Sequence, residues 1–318
     1  MKNQSVLAVS LLSGACAFAP APIRAMRSDG THLASSYLDG LTGASAAAAP
    51  SAPTYAAPDA PMPAAAEAED GASGSFSYAP LSYFSTDRMV SKGPRETKDW
   101  GTPQDATRKL DDDGTFRVGA WYCTEGGWPS PNPKAHTEVF YVVEGHGCLG
   151  DSDGARHYFG PGDTVIIPKG HTGRWDVHSP IHKVWAVNDH DRIEETSDPI
   201  RAVVENYHGF APHRMTTTTT DGEPLYGMAD AGTARTFYDV GPTKVGAWTC
   251  DAGSSFPVGN LGGKRFYFTV LEGVVFVTDS RDGSARRCVP GDTVMLRAGF
   301  EGHIDVMETA KKVWTLAE

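Results

Sequence analysis

The chain has 318 residues, 40% hydrophobic and 10% aromatic, enough apolar material for two ordinary domains with real cores, so a chain disordered throughout is excluded. Its formal charge is −11, and the three basic residues of positions 1–28 (Lys2, Arg24, Arg27) have no acidic counterpart there, so the rest is more acidic still. Such a body is a poor partner for nucleic acid or an anionic membrane surface.

Lys2, the short apolar run from Val6 to Leu12 and then Ala15-Cys16-Ala17 have the charged start, apolar middle and small-residue end of a secretory signal. The run is too short to span a bilayer, so no stable membrane insertion is expected. The stretch that follows holds Arg24, Arg27, Ser28, Thr31, Ser35 and Ser36 with few acids, the composition of a transit peptide. Ala15-Cys16-Ala17-Phe18-Ala19-Pro20 resembles the signal-transit junction of algae with secondary red plastids, where a Phe follows the cleavage site. The resemblance implies import into a plastid, the stroma ahead of the lumen. The alternatives are a plain secreted protein and, with Ser13 where an aliphatic residue is expected, a lipoprotein anchored through Cys16. Cys123, Cys148, Cys250 and Cys288 stand too far apart for a small disulfide scaffold or a paired-Cys zinc site, which fits free thiols in a reducing compartment.

From Thr42 to Pro80 there is no Leu, Ile or Val, so no core forms there and a disordered spacer is expected. The islands Ser36-Tyr37-Leu38-Asp39 and Phe76 to Phe84 would either dock on a partner or pack at the edge of the first domain. Beyond the spacer the chain repeats itself. Val118-Gly119-Ala120-Trp121 returns as Val245-Gly246-Ala247-Trp248, and Phe140 to Gly145 as Phe268 to Gly273. Pro161-Gly162-Asp163-Thr164-Val165 returns as Pro290-Gly291-Asp292-Thr293-Val294, and Lys183-Val184-Trp185 as Lys312-Val313-Trp314. The offsets are 127, 128, 129 and 129 residues, so four separated blocks stay in register and the chain holds two copies of one domain. Each copy reads as short β-branched and aromatic runs broken by Gly, Pro and Asp turns, an all-β sandwich or barrel. Between the copies, Asp198 to Gly209 is predicted as a helix opened by Asp198-Pro199, and Thr216 to Thr220 as linker.

Glu138 to Gly145, a Gly-rich turn, and Gly162-Asp163 followed by Pro168-Lys169-Gly170 are similar to the two signature motifs of the cupin superfamily. Pro168 to Val177 with Lys183-Val184-Trp185 resembles the branch that includes ureidoglycine aminohydrolase and the ethanolamine-utilisation cupins; Ala298 to Val306 with Lys312 repeats it. The resemblance implies two tandem cupin (jelly-roll) β-barrels, and as a family property a possible homodimer through sheet edges. The expected boundaries are signal peptide 1–17, transit peptide 18–42, spacer 43–77, N-terminal cupin 78–190, linker 191–224 and C-terminal cupin 225–318.

A cupin of the usual kind holds one divalent Mn, Fe, Ni or Zn ion with two His and a Glu from the first motif and a His from the second. Here Glu138 matches the Glu, but the two upstream His positions fall near Pro131 and Pro133 and the second-motif His position is Gly173. The aminohydrolase spacing lands on Asn132, Lys134 and Glu138. Strand alternation turns His136, Phe140 and Val142 to the same side as Glu138, with Lys134 at the mouth. His136, Glu138 and His171 are then a candidate metal set. The competing arrangement is a metal-free polar cluster in which His136 and Glu138 pair with each other and with Lys134 or Arg174, because a lone buried carboxylate is costly. In the second copy Lys264, Arg265 or Lys264, and Phe266 match Lys134, His136 and Glu138, so that copy reads as structural. Trp175 either walls a pocket or fills the barrel. Cys123 has no neighbouring base, which argues against a nucleophile. His157, His178, His182, His190, His208 and His213 are read as surface or linker residues.

The candidate ligand pocket is thus Lys134, His136, Glu138, Phe140, His171 and Trp175. The leading function is a bicupin that binds a small metabolite or stabilises a plastid assembly, with no metal or one divalent ion. The alternative is a metal-dependent enzyme in the N-terminal barrel, such as a ureidoglycine aminohydrolase-like hydrolase.

Overall fold

The β-branched and aromatic runs of the two copies form matching sets of strands in the computed structural model, which describes residues 75–191, 199–206, 232–259, 261 and 263–318. The signal, transit and spacer readings up to residue 74, the Thr216–Thr220 linker, His208 and His213 lie outside these. The first barrel holds β2 (Val90–Pro94), β3 (Trp100–Gly101), β4 (Gln104–Asp112), β5 (Phe116–Cys123) and β6 (Gly126–Ser130). It continues with β7 (Thr137–Asp151), β8 (Arg156–Phe159), β9 (Asp163–Ile167), β10 (Gly173–Asn188) and β11 (Val203–Asn206). The second holds β12 (Thr233–Val240), β13 (Thr243–Cys250), β14 (Ser255–Val258), β15 (Arg265–Asp279), β16 (Ala285–Cys288), β17 (Thr293–Leu296) and β18 (Gly302–Ala317). All their pairings are antiparallel, as the hairpin turns between short strands require.

The long antiparallel strand pairs β7–β10 and β15–β18 carry the first and second barrels. Period-two alternation gives each of them two buried faces. Along β5, Trp121 and Cys123 face the barrel interior, while Phe116, Val118 and Ala120 join a second core. That second core draws Tyr267, Met295 and Ala317 from the other barrel, so the two barrels share a hydrophobic seam. Arg265 with Asp113 at 2.7 Å and Asn188 with Thr243 at 2.9 Å rim the seam.

One reading is met in part and another is corrected here. Phe76–Ala79 forms a strand, β1, that pairs with β17 of the second barrel, with Phe76 opposite Leu296, whereas Tyr83 and Phe84 pack on the first domain as expected, against Leu110, Phe116 and Val118. Ser75 bonds Asp279 and Tyr78 bonds Asp292 at 2.9 Å, so the chain before the first barrel completes the second. The helix expected over 198–209 is absent among the described residues of that span, because Val203–Asn206 is β11, lying on the edge of β9 with Val203 opposite Ile166. Two β-branched residues beside an open sheet edge gain a ladder there, and this non-local partner outweighs the local signal of Asp198-Pro199.

The repeated glycines have a packing reason. A β-carbon on Gly119 would lie 2.8 Å from Trp185 Cζ2, and one on Gly246 would lie 2.5 Å from Trp314 Cζ2, so Val-Gly-Ala-Trp and Lys-Val-Trp are two halves of one contact. At Gly173 a β-carbon would lie 1.8 Å from the Gly150 carbonyl oxygen, and at Gly302, its counterpart, 2.1 Å from that of Thr278.

Candidate functional site

Strand register settles which interior residues correspond. Glu138 lies opposite Ile167 and Val187, and Phe266 lies opposite Leu296 and Leu316, so Phe266 stands where the first barrel has its carboxylate. Lys183 on β10 lies opposite Trp121 and Val142; Lys312 on β18 lies opposite Trp248 and Val270.

In the first barrel Glu138 is 9% exposed and both its oxygens are engaged. Lys183 Nζ donates to Oε1 at 2.7 Å, and the Lys134 ammonium donates to Oε2. Burial alone would raise this carboxyl; the two ammoniums outweigh it and hold it well below the usual carboxylate range. Burial pushes Lys183 down to about 8, with Lys134 and Arg95 adding to the depression and Glu138 opposing it. The Lys183 ammonium stands 3.9 Å from the ring centre of Phe140, 4.6 Å from that of Trp175 and 4.7 Å from that of Trp121.

These groups form one end of a cavity of about 500 Å³. Trp121, Trp128, Trp175 and Trp185 wall it; Trp128 and Trp175 stack at 6.0 Å with 13° between their planes, and Trp175 also stacks on Phe140 at 5.7 Å. Trp175 is half-buried, so it both fills the barrel and presents a face to the cavity. Six cationic side chains border the space (Lys92, Arg95, Lys109, Arg117, Lys134 and Lys183), and Glu138 is the one acidic residue among its lining. Outward partners temper three of them: Arg95 pairs with Asp105 at 2.7 Å, Lys109 with Asp112 at 2.6 Å, and Arg117 with Asp189 at 4.0 Å. The Arg95 guanidinium also lies 4.0 Å over the Trp128 ring.

Of the six pocket residues expected from sequence, Lys134, His136, Glu138 and Trp175 line this cavity, and Phe140 packs beneath Trp175 and Lys183. Lys134 and His136 precede β7, on a loop tied to the next one by Lys134 N–H to the His171 carbonyl at 3.0 Å and Gly170 N–H to the Lys134 carbonyl at 2.7 Å. His136 is half-buried, and burial together with the Lys134 charge depresses its imidazole to about 4, against the pull of Glu138.

His171 does not join them. Its Nε2 lies 2.8 Å from Oδ1 of Asp151, a buried carboxylate that also meets His157 Nε2 at 2.6 Å. It lines an adjoining hollow of about 210 Å³ with Ser130, Asn132 and Arg174. The expected set of His136, Glu138 and His171 is therefore corrected: the carboxylate is spent on two lysines and the second imidazole on Asp151. No group of three or more His, Cys, Asp or Glu suited to a metal occurs among the described residues. A divalent cation does not fit this donor set, because an ammonium already stands at each Glu138 oxygen and the backbone at Gly173 leaves no room for a fourth ligand. The partner foreseen in Arg174 is also corrected, since Arg174 pairs with Asp99 at 2.9 Å and Asp176 at 2.5 Å. His182 and His190, read as surface residues, are buried, and the four described cysteines are buried and free.

The sequence reading missed Lys183 as a site residue, together with Trp121, Trp128 and Arg95. The signal was present for Lys183: a lysine inside the apolar run Ile181 to Val187, repeated at Lys312, two positions from an inward-facing Trp. Arg95 comes from a loop far along the chain, and no local pattern brings it over Trp128.

Comparison with known proteins agrees with this architecture. The EutQ-like cupin domain matches residues 110–185 and again 240–314. No curated protein matches the chain. Among solved structures, a protein from Pseudomonas aeruginosa named for induction by glyoxylate is similar with a TM-score of 0.57 at 16% identity, covering 82% of this chain and 94% of its own. Protein Ylba from E. coli gives 0.54 at 10%, covering 78% and 93%. Streptomyces albus HEPD, solved with 2-hydroxyethylphosphonate and Fe(II), gives 0.52 at 9%, covering 76% of each. At these identities the likeness is one of fold. Two internal repeats, two jelly-roll barrels and two matches to the EutQ-like cupin domain give the chain the fold of two tandem cupin barrels.

Proposed function

We propose that the N-terminal barrel binds a small organic anion with a flat, aromatic or similarly planar body, without a family-type metal, and that the C-terminal barrel is its structural support. One observation carries the reading: two lysines share a single carboxylate in a cavity lined by four tryptophans. That leaves one positive charge in excess on a floor of low dielectric, where an incoming carboxylate or phosphate gains most. The stacked rings supply apolar area and a geometry that favours a planar ligand. The presequence favours a plastid as the setting of this activity. A metal-dependent or ureidoglycine aminohydrolase-like hydrolysis is the weaker reading, because the donors it needs are engaged elsewhere.

Calorimetric titration with 3-phenylpropionate and its neutral amide tests the proposal. The acid is expected to bind at least about tenfold more tightly than the amide, the equivalent of ~1.4 kcal/mol, and Trp175→Ala is expected to weaken it further. Equal binding of acid and amide, or no binding of either, would overturn it. So would about one Mn, Fe, Ni or Zn per chain in the purified protein, lost in a His136→Ala, Glu138→Ala double variant.

A further inference from the structure

We infer that Lys183 is a covalent capture residue: its amine condenses with the carbonyl of an aromatic 2-oxo acid seated in the cavity, forming an iminium ion that Glu138 holds. The inference rests on the anion-binding reading above and names the substrate class that fits it.

The geometry favours this chemistry at Lys183 over other lysines. Its Nζ borders the cavity, yet the residue is only 3% exposed, so a carbonyl compound reaches it through the pocket rather than from bulk water. Three aromatic rings within 3.9–4.7 Å keep the site poor in water, which favours condensation over hydrolysis. A buried lysine held near another cation is the arrangement that supplies a neutral, nucleophilic amine near neutral pH. Here the second cation is Lys134, on the same carboxylate, and burial together with that cation lowers Lys183 toward neutral pH.

The step balances within the site. The Lys183 lone pair adds to the carbonyl carbon, the C–N bond forms, and the amine proton passes to the former carbonyl oxygen. The Lys134 ammonium then protonates the resulting hydroxyl, the C–O bond breaks, water leaves, and the nitrogen lone pair closes the C=N bond. Lys134 regains its proton from solvent. The iminium carries one positive charge and one N–H, so it replaces the Lys183 ammonium as the partner of Glu138 Oε1 without changing the charge of the pair. The acid's own carboxylate takes up the excess positive charge.

Lys312 is a control inside the same molecule. It is 2% exposed, and burial depresses it further, to about 7, against the opposing pull of Cys250 and Cys288. Phe266 covers it where the first barrel has Glu138, with its ring centre 5.1 Å from Nζ. If a low pKa alone governed reactivity, Lys312 would react first.

The test incubates the full chain with phenylpyruvate and sodium cyanoborohydride, followed by peptide mapping, beside a calorimetric titration with phenylpyruvate and with 3-phenylpropionate. The expected result is that both acids bind and that the peptide containing Lys183 gains the mass of phenylpyruvate less one oxygen. Lys183→Met should abolish this adduct, whereas Lys312→Met should leave it in place. If both acids bind and no adduct forms at Lys183, the covalent step falls and the binding reading stands. If neither binds, both fall. Labelling spread over surface lysines, or at Lys312 to the same extent, overturns the inference as well.

Discussion

The two barrels hold the same lysine at the same register and surround it differently. Lys183 and Lys312 each lie against a tryptophan from the Val-Gly-Ala-Trp strand and a phenylalanine from the following long strand, at 4.7 and 3.9 Å in the first barrel and 4.3 and 4.5 Å in the second. Glu138 neutralises the first; Phe266 faces the second. Trp175 and Trp128, a stacked pair in the first barrel, give way at the matching register to Ile304 and Phe256. A few interior positions thus separate a charged, tryptophan-walled cavity from an apolar core, while strand order and pairing stay the same. Fold and chemistry are written at different positions of one repeat.

Removing the residue that separates the barrels should have the largest effect. Glu138→Ala leaves two ammoniums facing each other in a low-dielectric pocket and should lower stability by about 3–5 kcal/mol in urea unfolding, as for a broken buried pair. Glu138→Phe, which copies the second barrel, should recover part of that loss. A smaller effect should sharpen what the barrels share. Gly173→Ala and Gly302→Ala each push a methyl group into a strand carbonyl and should each lower stability by about 2–3 kcal/mol. A loss confined to one of the two would show that the tight crossing is not common to both.

Much of the fold was legible because the repeat fixes register. Blocks at offsets of 127 to 129 residues align Glu138 with Phe266, and the strand pairings place the two at equivalent positions. Alternation likewise grouped Glu138 and Phe140 on one face, because a strand's period is geometric and local. What escaped were features that depend on distant partners. Asp151 claims His171 from twenty residues away, and β1 crosses to the barrel that follows the next one in sequence. Lys183 escaped for another reason: a lysine in an apolar run reads as an exception, and only its neighbours Glu138 and Trp121 show why the run tolerates it.

The most direct measurement is the unfolding free energy of Lys183→Met beside that of Lys312→Met at pH 7. Burial lowers the folded pKa of Lys312 to about 7, below the unfolded value near 10.4, so the unfolded chain binds the proton more tightly and wild-type stability should rise with pH between those values. Lys312→Met should therefore stabilise the protein at pH 7, on the order of 1 kcal/mol or more, and flatten that rise. Lys183→Met should destabilise it at the same pH, because Glu138 loses its inner partner. Opposite signs are the predicted result. If both variants shift stability in the same direction, the Glu138 pair is not what sets the two barrels apart, and the account fails.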